Sequence, residues 1–176
     1  MRWILAACLF AACGGGGGDD VASGPDAAGG ATVPDPGTAA IPFSWPDTEP
    51  NDSPSHAVPL GTSVNAGEAT WFDGTAASGQ LGGSDTSDFF VFKSSPQGGN
   101  FHAGPCWDGT AAPNLMDFYL YEVDSGTVGA MVASSTDTDP ACENMSAAAD
   151  ITMQPSTVYL LELRATAGAP QTTYAA

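Results

Sequence analysis

The chain has 176 residues and a formal net charge of -17, with Arg2, Lys93 and Arg164 its only cations. So few positive groups argue against a protein that grips nucleic-acid phosphates through clustered Lys and Arg, and against electrostatic docking on anionic lipid. Gly and Pro supply 22 and 14 residues, no long helical pattern appears, and the turn-rich composition points to an all-β class.

Over residues 1–13, one positive charge precedes a short apolar run that ends in small residues. That is the layout of an export signal, and the run is too short to span a bilayer as a helix. Five glycines follow Cys13. Phe10-Ala11-Ala12-Cys13 resembles the lipobox of a bacterial lipoprotein, in which the cysteine after the cleavage point carries the lipid. Leu5-Ala6-Ala7-Cys8 is a closer local match but follows very little apolar sequence, so Cys13 is the expected lipidation site. A plain secretory signal without lipid is the alternative. The resemblance implies an exported protein of the bacterial cell envelope, an outer-membrane or cell-surface lipoprotein that meets the membrane only through its lipid.

Residues 14–40 consist of Gly, Ala, Asp, Pro, Ser, Thr and Val without periodicity. Such a stretch buries too little apolar surface to offset chain entropy, so a flexible, disordered tether is expected. Large apolar residues first cluster at Ile41-Pro42-Phe43-Ser44-Trp45-Pro46, which sets the expected start of a single domain over residues 41–176.

An acidic heptad follows, Asp47-Thr48-Glu49-Pro50-Asn51-Asp52-Ser53. Asp47, Glu49 and Asn51 are spaced by two, so an extended backbone sends their side chains to one face, and Pro50 biases Glu49 toward that geometry. With Asp52 they form an oxygen-rich set suited to a hard cation such as calcium. A solvated acidic turn, capped by Asn and Asp, is the other reading.

Gly61 and Gly67 read as turns, and Trp71-Phe72 as the opening of a short strand. Gly79-Gln80-Leu81-Gly82-Gly83 reads as a turn or edge segment leading to Ser84-Asp85-Thr86-Ser87-Asp88-Phe89-Phe90-Val91-Phe92-Lys93. The aromatic and β-branched run from Phe89 to Phe92 fits a buried strand, with Asp85 and Asp88 at its mouth, three apart across an expected turn. Leu115-Met116-Asp117-Phe118-Tyr119-Leu120-Tyr121, followed by Asp124-Ser125-Gly126, is a further apolar and aromatic stretch that ends in turn residues. In Thr157–Arg164, Tyr159, Leu161 and Leu163 alternate with Glu162 and Arg164 as in a strand.

In this order the stretches resemble the bacterial pre-peptidase C-terminal family and its relatives, the collagen-binding domains of clostridial collagenases. The resemblance rests on Glu49-Pro50-Asn51-Asp52-Ser53, on Gly79-Gln80-Leu81 with Asp85-Thr86-Ser87-Asp88-Phe89-Phe90, and more loosely on the two later strands. It covers roughly residues 45–176 and implies an antiparallel, jelly-roll-like β-sandwich. It also implies that the two acidic stretches share a calcium site, carried here by Asp47, Glu49, Asn51, Asp52, Asp85 and Asp88. Two features depart from the family: the chain stops at Tyr174-Ala175-Ala176, and no peptidase is attached.

Cys106 and Cys142 are the only cysteines of the body and read as a disulfide in an exported chain. A zinc site would need more Cys or His than His102 supplies. His56 and His102 are the only histidines, and neither a Gly-x-Ser-x-Gly elbow nor a His-Glu-x-x-His helix is present. Asp117 and Glu122 are separated by an odd number, which sends them to opposite faces of a strand and removes them as a glycosidase pair. Trp45, Trp71, Trp107, Tyr119 and Tyr121 are expected mainly in the core, with a sugar- or protein-binding face as the alternative. The expectation is therefore a non-catalytic binding or adhesion module for an extracellular protein or polysaccharide. An accessory domain of a secreted peptidase or hydrolase, and a purely structural surface lipoprotein, are the alternatives.

Overall fold

The computed structural model describes residues 29–41, 45–46, 48–63, 77–81, 86–101, 106–107, 116–135, 151–165 and 172–175. Among these residues the architecture is all-β, as the composition implied. In chain order the strands are β1 (Trp45–Pro46), β2 (Val58–Thr62), β3 (Ala77–Leu81), β4 (Ser87–Lys93), β5 (Gly99–Phe101) and β6 (Cys106–Trp107). They continue with β7 (Met116–Asp124), β8 (Thr127–Ser135), β9 (Ile151–Met153), β10 (Val158–Ala165) and β11 (Thr172–Ala175). One turn of 3-10 helix, Pro54–His56, precedes β2.

The strands form a five-stranded sheet in the order β2-β4-β10-β7-β8, a four-stranded sheet in the order β1-β3-β11-β6, and a two-stranded ribbon of β5 and β9. Most pairings are antiparallel, but β1 with β3 and β2 with β4 run parallel. The sandwich class is therefore as expected, with mixed rather than purely antiparallel sheets.

Local sequence explains the central elements. In β4 the aromatic and β-branched run pairs along its whole length with β10, from Ser87 opposite Arg164 to Lys93 opposite Val158. The β7–β8 hairpin turns at Ser125 and Gly126, whose φ values of 51° and 79° place both in the left-handed region that a two-residue hairpin turn requires. The Ser125 hydroxyl donates to Asp124 Oδ1 at 3.0 Å, and the Thr127 hydroxyl donates to the Asp124 carbonyl at 2.8 Å. Gly61, expected in a turn, instead lies inside β2 at a register shift, with φ 109°.

Register divides the five-stranded sheet into two faces. On one, Phe90, Phe92, Phe118, Leu120, Tyr159 and Leu163 pack with Leu60 of β2 and with Phe101 and Met153 of the ribbon. The Phe92 ring stacks on Phe101 and on Tyr159, with centroids 5.7 and 5.8 Å apart. On the other face, Phe89, Val91, Leu160, Tyr121 and Val128 pack with Ala57 and, more loosely, with Ala31 and Val33. Both faces are thus covered, and Phe89, Phe90 and Phe118 each stabilise the fold by about 1.5–3 kcal/mol through burial.

Over residues 29–40 the structure differs from the tether expectation, because these residues form a strap on the sheet that continues to Ile41. Gly30 N–H donates to the Val128 carbonyl, Val128 N–H to the Ala31 carbonyl, and Val33 N–H to the Gly126 carbonyl, at 2.8–2.9 Å. Ten residues later the chain reaches the other edge of the sheet, where Thr62 N–H donates to the Ala39 carbonyl and Ile41 N–H to the Thr62 carbonyl. The folded unit therefore begins at least twelve residues before Ile41. Backbone hydrogen bonds and small side chains hold this segment, which is why its composition read as spacer. Residues 1–28, including Cys8 and Cys13, lie outside the described residues.

Candidate functional site

Two polar centres lie at the same end of the five-stranded sheet. The first is the predicted acidic junction. Phe89 N–H donates to the Asn51 carbonyl at 2.9 Å, which docks the heptad against the start of β4. Asn51 and Asp88 are both fully buried, and Oδ1 of each is sealed from solvent. Each residue also engages in a further interaction.

The other predicted donors behave differently. Glu49 and Asp52 are exposed, and Glu49 Oε2 accepts from the Asn51 N–H at 3.2 Å. Glu49 and Asn51 therefore do not share one face: the carboxylate caps the backbone of a turn, and the amide side chain faces inward. The Glu49–Pro50 peptide is cis. Asp88, expected in a turn before the strand, is the second residue of β4. Asp47 and Asp85 lie outside the described residues.

The junction thus places two buried oxygen-bearing side chains, Asn51 and Asp88, where the two acidic stretches meet, with Asp52 close in sequence at the surface. That is a partial fit to a hard cation, which takes six to eight oxygens. Among the described residues no group of three or more His, Cys, Asp or Glu side chains is placed to hold a metal ion.

The second centre escaped the sequence reading. Glu162 of β10 is fully buried on the face opposite Asp88, in register between Phe89 and Tyr119. The buried Tyr121 hydroxyl donates to Glu162 Oε2 at 2.8 Å. One step along the same face, Arg164 lies in register between Ser87 and Asp117. Tyr119 OH points to Asp117 Oδ2 at 3.4 Å, a long contact. The strand thus carries one cation among two carboxylates and two phenols.

Electrostatics follow from that packing. Burial holds the Asp117 carboxyl above its ordinary value, while the Tyr119 hydroxyl and the Arg164 charge pull it back. Burial, and then the neighbouring carboxylate charges, push the Tyr119 phenol up and the Tyr121 phenol well up, so both act as neutral donors. Asp117 and Glu122 sit on opposite faces of β7, as their spacing required.

The signal for Glu162 was present in β4. Apolar residues at both Phe89 and Phe90 mean that strand is covered on both faces, so the polar positions of its neighbour β10 are covered too. His56 is exposed, its Nδ1 3.0 Å from the Ser53 hydroxyl. Cys106 is described only as part of β6, and Cys142 and His102 lie outside the described residues, as does Trp71. Among the described residues no helix is long and apolar enough to cross a membrane.

Comparison with protein-family models, with curated proteins and with solved structures returns no match for this chain.

Proposed function

We propose that this protein is a non-catalytic binding module of the bacterial cell envelope, lipidated at Cys13, whose acidic junction takes up calcium. The observation that carries the reading is the backbone bond from Phe89 N–H to the Asn51 carbonyl, which docks the heptad at the start of β4, where the Asn51 and Asp88 side chains are both buried. Asn51 and Asp88 supply inner oxygens; Asp52, Asp47, Glu49 and Asp85 are the further donors that the resemblance to the pre-peptidase C-terminal family implies. Bound calcium offsets the repulsion among these carboxylates and stiffens the docking of the heptad onto the start of β4. A chain this acidic, with three cations in all, suits a solvated surface protein. Its partner class is an extracellular protein or polysaccharide.

Arrays of matrix proteins and glycans, probed with the Cys13→Ser chain, test the reading. The expected result is a specific ligand whose binding weakens at least tenfold when calcium is chelated. Absence of any ligand with calcium present would leave a structural role and overturn the proposal.

A further inference from the structure

Residues 29–41 lie across the sheet as a strap that ties its two edge strands. At the β8 edge, Thr32 faces Thr127 in an antiparallel bridge, flanked by the three backbone bonds to Gly126 and Val128. At the β2 edge, Ala40 bridges Thr62 in parallel, and the Thr62 hydroxyl donates to the Gly37 carbonyl at 2.9 Å. Beneath the strap, Ala31 and Val33 meet the cluster of Phe89, Val91, Tyr121, Val128 and Leu160.

The seat is specific, but the strap holds lightly. A Cβ at Gly61 would run into the Ala39 carbonyl, so β2 is shaped to receive this segment. Of the strap itself, only Pro36 is buried, and Ala31, Val33, Pro34 and Ile41 are half-buried. Its hold is mostly backbone pairing at two short edges. Edge pairing of this kind can be exchanged for an identical strand at little cost, because the exchanged segment restores every contact.

We propose that the surface under the strap is a strand-acceptor site, and that its occupant from outside is the same segment of a second copy of this chain. Opening the strap bares the β8 edge at Gly126–Val128, the β2 edge at Thr62 and the apolar cluster between them. A second copy's residues 29–41 fit all three by construction. Copies held near one another thereby link reciprocally, with no new interface required. The inference is independent of calcium and of any external ligand.

The test uses a labelled synthetic peptide of residues 29–41 and the Cys13→Ser chain, so that no lipid drives association. Replacing the chain's own strap residues, Ala31→Asp with Val33→Asp, loosens the strap and leaves the acceptor intact. The peptide is expected to bind this variant at least tenfold tighter than the unaltered strap, and a Val33→Asp peptide is expected not to bind. At hundreds of micromolar, the unaltered strap should give a dimer in sedimentation that excess peptide dissociates. Failure of the peptide to bind a variant that keeps its β-sheet circular dichroism, or peptide binding without a dimer, overturns the proposal. Hydrogen exchange supplies a readout independent of the variant's folding: the Val128 N–H should exchange at least a hundredfold faster than that of Leu160, because the strap opens before the sheet. Equal rates would overturn it too.

Discussion

Replacing Tyr121 by Phe removes one oxygen and leaves the ring in place. In the native sheet that hydroxyl donates to Glu162 Oε2 at 2.8 Å, and both side chains are buried. A hydrogen bond to a charged acceptor contributes about 1.5–3 kcal/mol, and its loss removes one donor from a carboxylate buried away from water. The expected cost is therefore about 2 kcal/mol, which for a domain of this size lowers Tm by roughly 4–8 °C. Urea unfolding of four chains completes a double-mutant cycle: unaltered, Tyr121→Phe, Glu162→Gln and both together. With a neutral amide at position 162 the hydroxyl should matter less, contributing about 1 kcal/mol. A Tyr121→Phe chain within about 0.5 kcal/mol of the original would refute the buried bond, since that is the ordinary scatter of neutral substitutions.

Three further outcomes follow from the same geometry. Burial raises the Asp117 pKa in the fold, so its ionised form costs stability once pH passes the ordinary aspartate range near about 3.9. Asp117→Asn should thus gain in Tm relative to the original chain at pH 7 compared with pH 3; a gain that is larger at pH 3 would be the wrong sign. The phenols of Tyr119, Tyr121 and Tyr159 are raised as well, so the fold holds them neutral to higher pH than the unfolded chain, where they ionise near pH ~10. Stability should fall steeply above that pH, with phenolate absorbance rising together with loss of sheet, and free titration of these tyrosines in the intact fold would contradict their burial. Gly129→Ala places a methyl 2.9 Å from the Glu122 carbonyl oxygen, a backbone atom that cannot swing away. It should cost about 1–3 kcal/mol in urea unfolding, and a neutral result would mean that β8 relaxes there.

The parts of this fold that the sequence made legible are those with a strong local pattern. Phe89 to Phe92 could only be a covered strand, and Asp124-Ser125-Gly126 supplies residues that tolerate the left-handed turn of the β7–β8 hairpin. What stayed hidden depended on partners distant in sequence. Glu162 alternates with Tyr159, Leu161 and Leu163 as an outward residue would, yet its face of β10 is covered and the Tyr121 hydroxyl meets it there. Asp88 read as part of a turn because nothing local marks Ser87 as the start of β4. Residues 29–41 carry almost no hydrophobic signal, and their order comes from backbone groups satisfied by β8 and β2. The shape of the heptad was not legible. Its alternation suggested one oxygen-lined face, whereas Glu49 turns outward and Asn51 inward.

The proposal of a calcium-stiffened junction is tested most directly by thermal unfolding of the chelator-cleared chain across a calcium titration, beside Asp88→Asn. Binding to the folded state alone raises stability by RT ln(1 + [L]/Kd), which is about 2.7 kcal/mol at a hundredfold excess over Kd. The original chain should therefore gain roughly 5–10 °C in Tm, and Asp88→Asn should gain far less. An identical melting temperature with and without calcium would contradict the account and leave the heptad as a capped turn.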